Sequence, residues 1–583
     1  MPEGPVKFPT TPEHARSRAR WVPLALGALL MVPFLVALVG LRDREWFPTS
    51  DDAVIELRTR DVPSEMPTSG VYSRYGFRHP GPALFVTLAG PYRLLGPNGL
   101  IVGALLVNGS ATAAMSWVLY RRGGLPLLLW GGLVLAVLVR ALSSQLIDPW
   151  NPWISLLPFG LAVLLAWSVL CDDWWCLPAL AVVGSWVVQV HVGYSLVVLV
   201  LFGLAGWHAL CSLLRRRRER SARSALRRGP VVASVAGLAV LWSLPIVGEM
   251  TRQPGNLRQL ISYFRSPTEP AAGWAKAAGT FAREVGITSG WITGRAAIDP
   301  FLGETFTTTT LSLVPLGLCF AGATVLAWRY RRTDALKLQG TVAAVAITGY
   351  VAVARISGPT YPYLFRWLWV LAALAWLGCG WSVLEVAVAE WRRARWARWG
   401  VRSSVAAVLV AVVFAASALA GADLPEPEKS RAISVIGGSV ADAVAGRGLV
   451  LVRFEGSAFG EYQSGLVAEL ERRGIPAAVP DDRVVEFGEH RVLGSRVPGV
   501  VVTVVAEDVV DTRGQAGQDP IAVFDPLTPE ERAEYTPLRY KIAAAYDDAM
   551  SGRPVADPPS PAERARAEEL RRRGERLVVY LDG

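Results

Sequence analysis

The stretch Trp46–Asp61, WFPTSDDAVIELRTRD, follows at once on the first strongly apolar segment of the chain, 21–41. Two adjacent carboxylates, Asp51 and Asp52, stand there with Glu56, Arg58 and Arg60 within two further helical turns. If the stretch is helical, Asp52 and Glu56 are i,i+4 neighbours and Arg60 lies one turn beyond. Charges in this position form either a solvated amphipathic helix on the bilayer surface or a reactive group held beside the membrane. The rest of the chain decides between them.

The chain has 583 residues, 52% of them hydrophobic and only 19% charged, with a mean hydropathy of +0.33. That balance excludes an ordinary soluble protein and predicts a membrane class. The net charge of +10 is divided unevenly. From Asp423 to the end there are 20 basic against 28 acidic residues, a net −8, which leaves 39 against 21, a net +18, for the hydrophobic part. The basic excess therefore belongs to membrane topology and not to nucleic acid. All five cysteines (Cys171, Cys176, Cys211, Cys319, Cys379) lie in or beside apolar segments, so neither a disulfide framework nor a thiolate metal site is expected.

A spanning helix needs about 20 mostly apolar residues. Eleven segments qualify: 21–41, 99–120, 124–142, 152–171, 174–190, 193–214, 229–248, 309–328, 335–355, 363–385 and 403–422. The positive-inside rule orients them. Arg16, Arg18 and Arg20 place the N-terminal segment 1–20 in the cytoplasm, and the first span is read as uncleaved. Alternate connections are rich in arginine, at Arg121–Arg122, Arg215–Arg218, Arg329 with Arg331–Arg332, and Arg392–Arg393. The first loop, 42–98, and a long loop of about 249–308 then lie outside, as does the tail 423–583. The expected architecture is a polytopic α-helical membrane domain over 21–422 with a C-terminal extracytoplasmic α/β domain. Within the tail, 448–454 and 499–508 read as buried strands and 461–474 as a helix closed by glycine, with a charged helix and a short strand at the end.

Beyond the aspartates comes SRYGFRHPGPALFVTLAGPYRLLGPNGLIVGALL, 73–106. An acidic pair after the first helix, a His-Pro step (RHPGPALF) opening an apolar segment, a Tyr-Arg-Leu-Leu-Gly turn and a second span together resemble the GT-C membrane glycosyltransferases. That superfamily includes protein mannosyltransferases, lipid A aminoarabinose transferases and arabinofuranosyltransferases. Gly81 stands where many members have a second proline. The resemblance covers about the first 120 residues and the general layout, not the tail.

It implies an enzyme that takes a sugar from a polyprenyl-phosphate carrier at the outer face of the cytoplasmic membrane. The sugar passes to an acceptor hydroxyl with inversion, and an aspartate of the first outer loop is the base. Carried onto this sequence, the base is Asp51 or Asp52, with Asp52 preferred for its alignment with Glu56. The resemblance also implies a divalent cation (Mg, Mn or Ca) in some members, here at Asp52 and at Asp148 of LIDPWNPW, 146–153. Read from its neighbours alone, Asp148 is first the start of a turn before Pro149 among interfacial tryptophans.

A lipid phosphate asks for cations at the outer boundary. Arg58, Arg60, Arg74, Arg78 and Arg93 break the positive-inside trend there, and Arg366 lies in the outer end of a span, where it either serves a site or snorkels. His79 can donate to the phosphate or cap the apolar segment. Gln189, His191 and Tyr194, in a short outer turn, can bind a sugar or simply make the turn. The segment 437–448, GGSVADAVAGRG, lacks the Lys-Ser/Thr of a nucleotide-binding loop, so no nucleotide cofactor is expected. Abundant Ala, Val, Arg and Gly suit a high-GC bacterium, which makes a cell-envelope glycan, lipid or protein the expected acceptor. The rival class is a transporter of lipid-linked sugars or an envelope-assembly scaffold. A transporter needs polar or broken helices near mid-membrane, whereas the polar groups here gather at the outer ends.

Overall fold

A computed structural model describes residues 13–218, 228–252, 254–287, 289–293, 310–358, 360–391, 397–456, 461–507, 509, 511–550 and 554–582. Residues 1–12 of the N-terminal segment, 294–309 of the long loop and the Arg392–Arg393 turn lie outside these described residues.

Every expected span coincides with helix. The first is Glu13–Gly40. The second and third form one run, Asn98–Ala141, broken only at Gly124, whose φ of 63° and ψ of −155° lie in a region that a residue with a Cβ avoids. The fourth is Asn151–Ile154 continued by Leu156–Leu170, and the rest include Ser195–Arg218, Arg228–Thr251, Val314–Arg329, Thr333–Ala354, Leu368–Trp391 and Ala397–Ala420. The segment 174–190 gives Cys176–Val190, only 15 residues and shorter than a bilayer requires. Among the described residues nine helices are long and apolar enough to cross a membrane, Asn98–Ala141 counting once.

Two ends of the bundle differ in chemistry. At one, Arg121 pairs with Asp173 at 3.0 Å and Arg122 with Asp334, tying the Arg121–Arg122 turn to two neighbouring turns. At the other sits the C-terminal domain. Its five strands are β1 (Val450–Glu455), β2 (Ala477–Ala478), β3 (Val500–Ala506), β4 (Ala522–Phe524) and β5 (Leu577–Asp582), in the spatial order β2-β1-β3-β5-β4. β1 runs parallel to β2 and β3, with Val450 opposite Val500, while β5 is antiparallel to β3 and β4. Both strands expected from β-branched runs are present, as is the helix Glu461–Arg472. The charged helix is Pro561–Arg571, started by a Ser560–Glu563 capping box. The segment 437–448 falls mostly in the helix Pro427–Val444, so it is no phosphate loop.

The stretch 46–61 forms the seam between the two bodies. Ser50–Arg60 is helical, with Asp51 and Asp52 in the first turn and Arg58 and Arg60 in the last, the arrangement a helix dipole favours. It is not a solvated surface helix, because Asp52 through Thr59 are buried. Ala53 and Leu57, four residues apart on one face, complete the core of the C-terminal domain, and Ile55 joins the core of the bundle. A leucine buried in this way contributes roughly 2 kcal/mol.

Candidate active site

The backbone leading to the aspartates is stitched to the C-terminal domain. Arg44 and the Trp46 indole donate to the carbonyls of Ala422 and Pro425, each at 2.9 Å, and the Phe47 amide donates to Ser430 Oγ at 2.9 Å. Thr49 donates to Glu426 at 2.7 Å, Ser464 donates to the Ser50 carbonyl at 2.9 Å, and Lys429 donates to Ser50 Oγ at 3.3 Å. The lysine also pairs with Glu426 and Glu461, each at 2.6 Å. Gly465 permits this approach, since a Cβ there would stand 3.1 Å from the Pro48 carbonyl.

A cavity of about 1750 Å³ opens between the two bodies. Asp51, Asp52 and Asp148 line it, with Trp150, Tyr72, Lys429 and Glu461 around them. On the membrane side the wall runs through Leu196, Leu199, Phe264, Trp274 and Val351. Leu199, Phe264 and Trp274 are each more than half exposed, so this wall of the cavity is open and apolar. Phe264 and Trp274 belong to two amphipathic helices of the long loop, Asn256–Arg265 and Gly273–Val285. A backbone bridge between Ala271 and Ser357 fixes that loop at the cavity mouth.

The two aspartates are not equivalent. Asp51 accepts hydrogen bonds from the Tyr72 hydroxyl and, at 2.6 Å, from the Trp150 indole. Asp52 Oδ1 is buried with no hydrogen-bond partner. Burial, then the charges of Asp148, Glu426 and Asp51, push the Asp52 carboxyl well above its ordinary range. Burial likewise raises Asp51, against the hydrogen bonds of Tyr72 and Trp150. Asp148 accepts the Trp150 amide at 2.8 Å, the Asx turn foreseen for an aspartate before proline, yet burial pushes it up to about 8. Carboxyls crowded this way hold fewer charges than their number. Glu426 behaves oppositely: burial would raise it, but Lys429 overrides burial and keeps it low.

Other residues singled out in the sequence divide between wall and scaffold. Arg74 lines the cavity, its guanidinium over the Tyr75 and Tyr361 rings at 4.6 and 4.9 Å. His79 and His191 also line it, their rings 4.8 Å apart. Each Nδ1 accepts a backbone amide, from Val192 at 3.1 Å and Gly193 at 3.2 Å. That fixes the neutral tautomer with Nε2–H as the donor. Burial lowers both, His191 to about 4.

The remaining ones lie outside the cavity wall. Gln189 is buried, its amide donating to the Leu241 carbonyl at 2.8 Å. It explains Gly81, because a Cβ there would stand 2.2 Å from Gln189 Oε1. Tyr194 packs behind His191 and donates to the Pro152 carbonyl at 3.4 Å. Glu56 accepts from Tyr92 at 2.8 Å and pairs with Arg472 at 2.5 Å, so its alignment with Asp52 does not bring the two carboxylates into one site. Arg58 pairs with Asp61 at 2.8 Å and Arg60 donates to the Glu471 carbonyl at 3.0 Å. Arg60 thus fastens the first loop to the C-terminal domain, while Arg58 braces Asp61, which itself pairs with Arg491 and His490 of that domain; neither arginine lines the cavity, which corrects the expectation drawn from their charge. Arg366 does not snorkel: it is buried 3.7 Å from Glu284 and stacked 4.1 Å over Trp369.

Sequence reasoning missed Lys429, Glu426, Glu461 and Arg355. Arg355 is exposed in the cavity wall just past the end of Thr333–Ala354, and a cation closing an apolar span was the available signal. For a cation, Asp52 and Asp148 offer two hard carboxylate ligands and one unpartnered oxygen. Among the described residues no three His, Cys, Asp or Glu side chains are grouped to hold a metal by themselves.

No family model matches the sequence, and no curated protein matches it. Solved structures do match. The crystal structure of ArnT from Cupriavidus metallidurans bound to undecaprenyl phosphate aligns with a TM-score of 0.50 and 14% identity, over 86% of this chain and 96% of that one. Apo ArnT from the same organism aligns at 0.46 and 13% identity, over 86% and 95%. The first likeness is one of fold: this chain has the polytopic helical architecture of ArnT.

Proposed function

We propose that the chain is a membrane glycosyltransferase that moves a sugar from a polyprenyl-phosphate donor to an acceptor hydroxyl. One observation carries the reading: one cavity joins the aspartate cluster to an open apolar mouth on the bundle side. An apolar mouth of Leu199, Phe264 and Trp274 suits a polyprenyl chain, and Arg355 and Arg74 suit its phosphate. The solved ArnT structure carries undecaprenyl phosphate in the same fold. The Nε2–H groups of His79 and His191 are neutral donors for phosphate or sugar oxygens.

The step is a single displacement. The acceptor oxygen attacks the anomeric carbon, the bond from that carbon to the phosphate oxygen breaks, and the lipid phosphate leaves with the electron pair. The proton of the acceptor goes to Asp52, and the configuration inverts. Asp52 suits the part because one of its oxygens has no other partner, whereas Asp51 is held by Tyr72 and Trp150. A carboxyl raised by burial is also a stronger base once ionised. Where a divalent cation (Mg, Mn or Ca) takes part, Asp148 and Asp52 are the groups to hold it. It would supply neutralisation of the lipid phosphate charge there.

The site belongs on the outer face of the cytoplasmic membrane, with the N-terminus inside. The Arg-rich turns at Arg121 and Arg122 lie at the end of the bundle opposite the C-terminal domain, as the positive-inside rule requires of that orientation. The test is transfer in proteoliposomes from radiolabelled polyprenyl-phosphate sugars and, separately, from nucleotide sugars, with and without a chelator. Label should leave only the lipid donors. Use of a nucleotide sugar, or a donor left intact under every condition, overturns the reading.

A further inference from the structure

The cavity has two chemically different ends, and the donor accounts for one. On the bundle side the cavity ends in the open apolar mouth of Leu199, Phe264 and Trp274. Where the C-terminal domain forms the wall, the only apolar residues among those described are Pro427 and Val485. The others are charged or hydroxyl-bearing, among them Glu461 and Ser464 beside Asp51, Arg483 and Glu486 further along, and Glu568 and Arg572 at the rim. Opposite charges there are paired with each other: Arg483 lies 2.6 Å from Glu486 and Arg572 lies 2.9 Å from Glu568.

This wall is wrong for an acceptor carrying acyl chains, which would leave apolar surface against charged groups. It is also wrong for an anionic one, since the C-terminal domain contributes seven carboxylates to the cavity against four cations. Paired carboxylates and guanidinium groups do suit a neutral polyhydroxylated chain. They accept and donate in planar, two-pronged geometry that matches neighbouring hydroxyls, and they need no net charge on the ligand.

Resting on the glycosyltransferase reading, we infer that this end is the acceptor site and that it takes a neutral glycan reaching the aspartates from the aqueous side. The C-terminal domain then has two tasks, one wall of the acceptor site and the clamp on Ser50. Donor and acceptor approach the aspartates from opposite ends, so neither has to pass the other.

The experiment supplies the full-length protein in proteoliposomes with the labelled lipid donor and three acceptor pools from a bacterial envelope: neutral glycans, anionic glycans separated by ion exchange, and extracted lipids. Label should enter the neutral glycan pool. In the variants Glu568→Ala and Arg572→Ala the half-saturating concentration of that pool should rise about fivefold, as expected for the loss of a hydrogen bond. The half-saturating donor concentration should move less than twofold. Label in the lipid or anionic pool, or released only as free sugar, overturns this inference and leaves the glycosyltransferase reading standing. An intact donor in every mixture removes both. Unchanged acceptor saturation in both variants also contradicts the assignment of this wall.

Discussion

The Lys429 ammonium of the C-terminal domain lies 3.3 Å from the hydroxyl of Ser50, the residue before Asp51. Ser50 has a φ of +50° and Glu426, which pairs with Lys429, has a φ of +46°. Two residues in left-handed backbone thus face each other across the seam, held by what surrounds them. The domain is part of the site's framework, although more than 370 residues separate it from the aspartates in sequence.

Lys429→Met should therefore damage both stability and activity. It leaves the half-buried Glu426 and Glu461 without their cation, a loss of about 1.5–3 kcal/mol. Lys429→Arg keeps the charge and should recover most of the stability. Thermal unfolding and transfer rate, measured on both variants, check this.

Arg58 and Arg60 supply a contrasting case. They brace the seam with the C-terminal domain, Arg60 directly and Arg58 through Asp61, and do not line the cavity, so Arg58→Gln should cost about 3 kcal/mol by loosening the buried Asp61 pair. The donor half-saturation should stay within twofold of the parent for Arg58→Gln and Arg60→Gln alike. A large weakening of donor binding without loss of stability would return these arginines to the phosphate.

Asp61 sets the acid limit of the docked state. Burial would raise its carboxyl, but hydrogen bonds from His490 and Arg491 and the charges of Arg491 and Arg58 hold it below the ordinary 3.8. A depressed acid contributes stability that is complete above its unfolded value and is lost as pH falls through the folded one. Unfolding temperatures should thus fall below about pH 4 in the parent. Asp61→Asn should start lower at neutral pH and fall less on acidification.

Much of this was legible in the sequence, for identifiable reasons. Spans announce themselves by length and apolarity, and β1 and β3 by β-branched runs, because local burial dictates both. The aspartate helix was visible through its charge order. The partners of its charges were not. Glu56 and Arg60 answer to Arg472 and Glu471, more than 400 positions away, and no local pattern encodes such a contact. Arg366 looked like a site cation because its partner, Glu284, sits in an amphipathic helix that the sequence offered only as loop. Gly81 looked like a departure from a motif, and its reason is the packing of Gln189.

The most direct measurement compares transfer from a labelled polyprenyl-phosphate sugar by the parent, Asp51→Asn and Asp52→Asn in the same proteoliposomes. Asp52→Asn should lower the rate on the order of a thousandfold with little change in donor half-saturation, the signature of a lost general base. Asp51→Asn, which loses one charge-assisted hydrogen-bond acceptor, should lower it roughly tenfold. Asp52→Asn transferring at close to the parent rate would contradict the account.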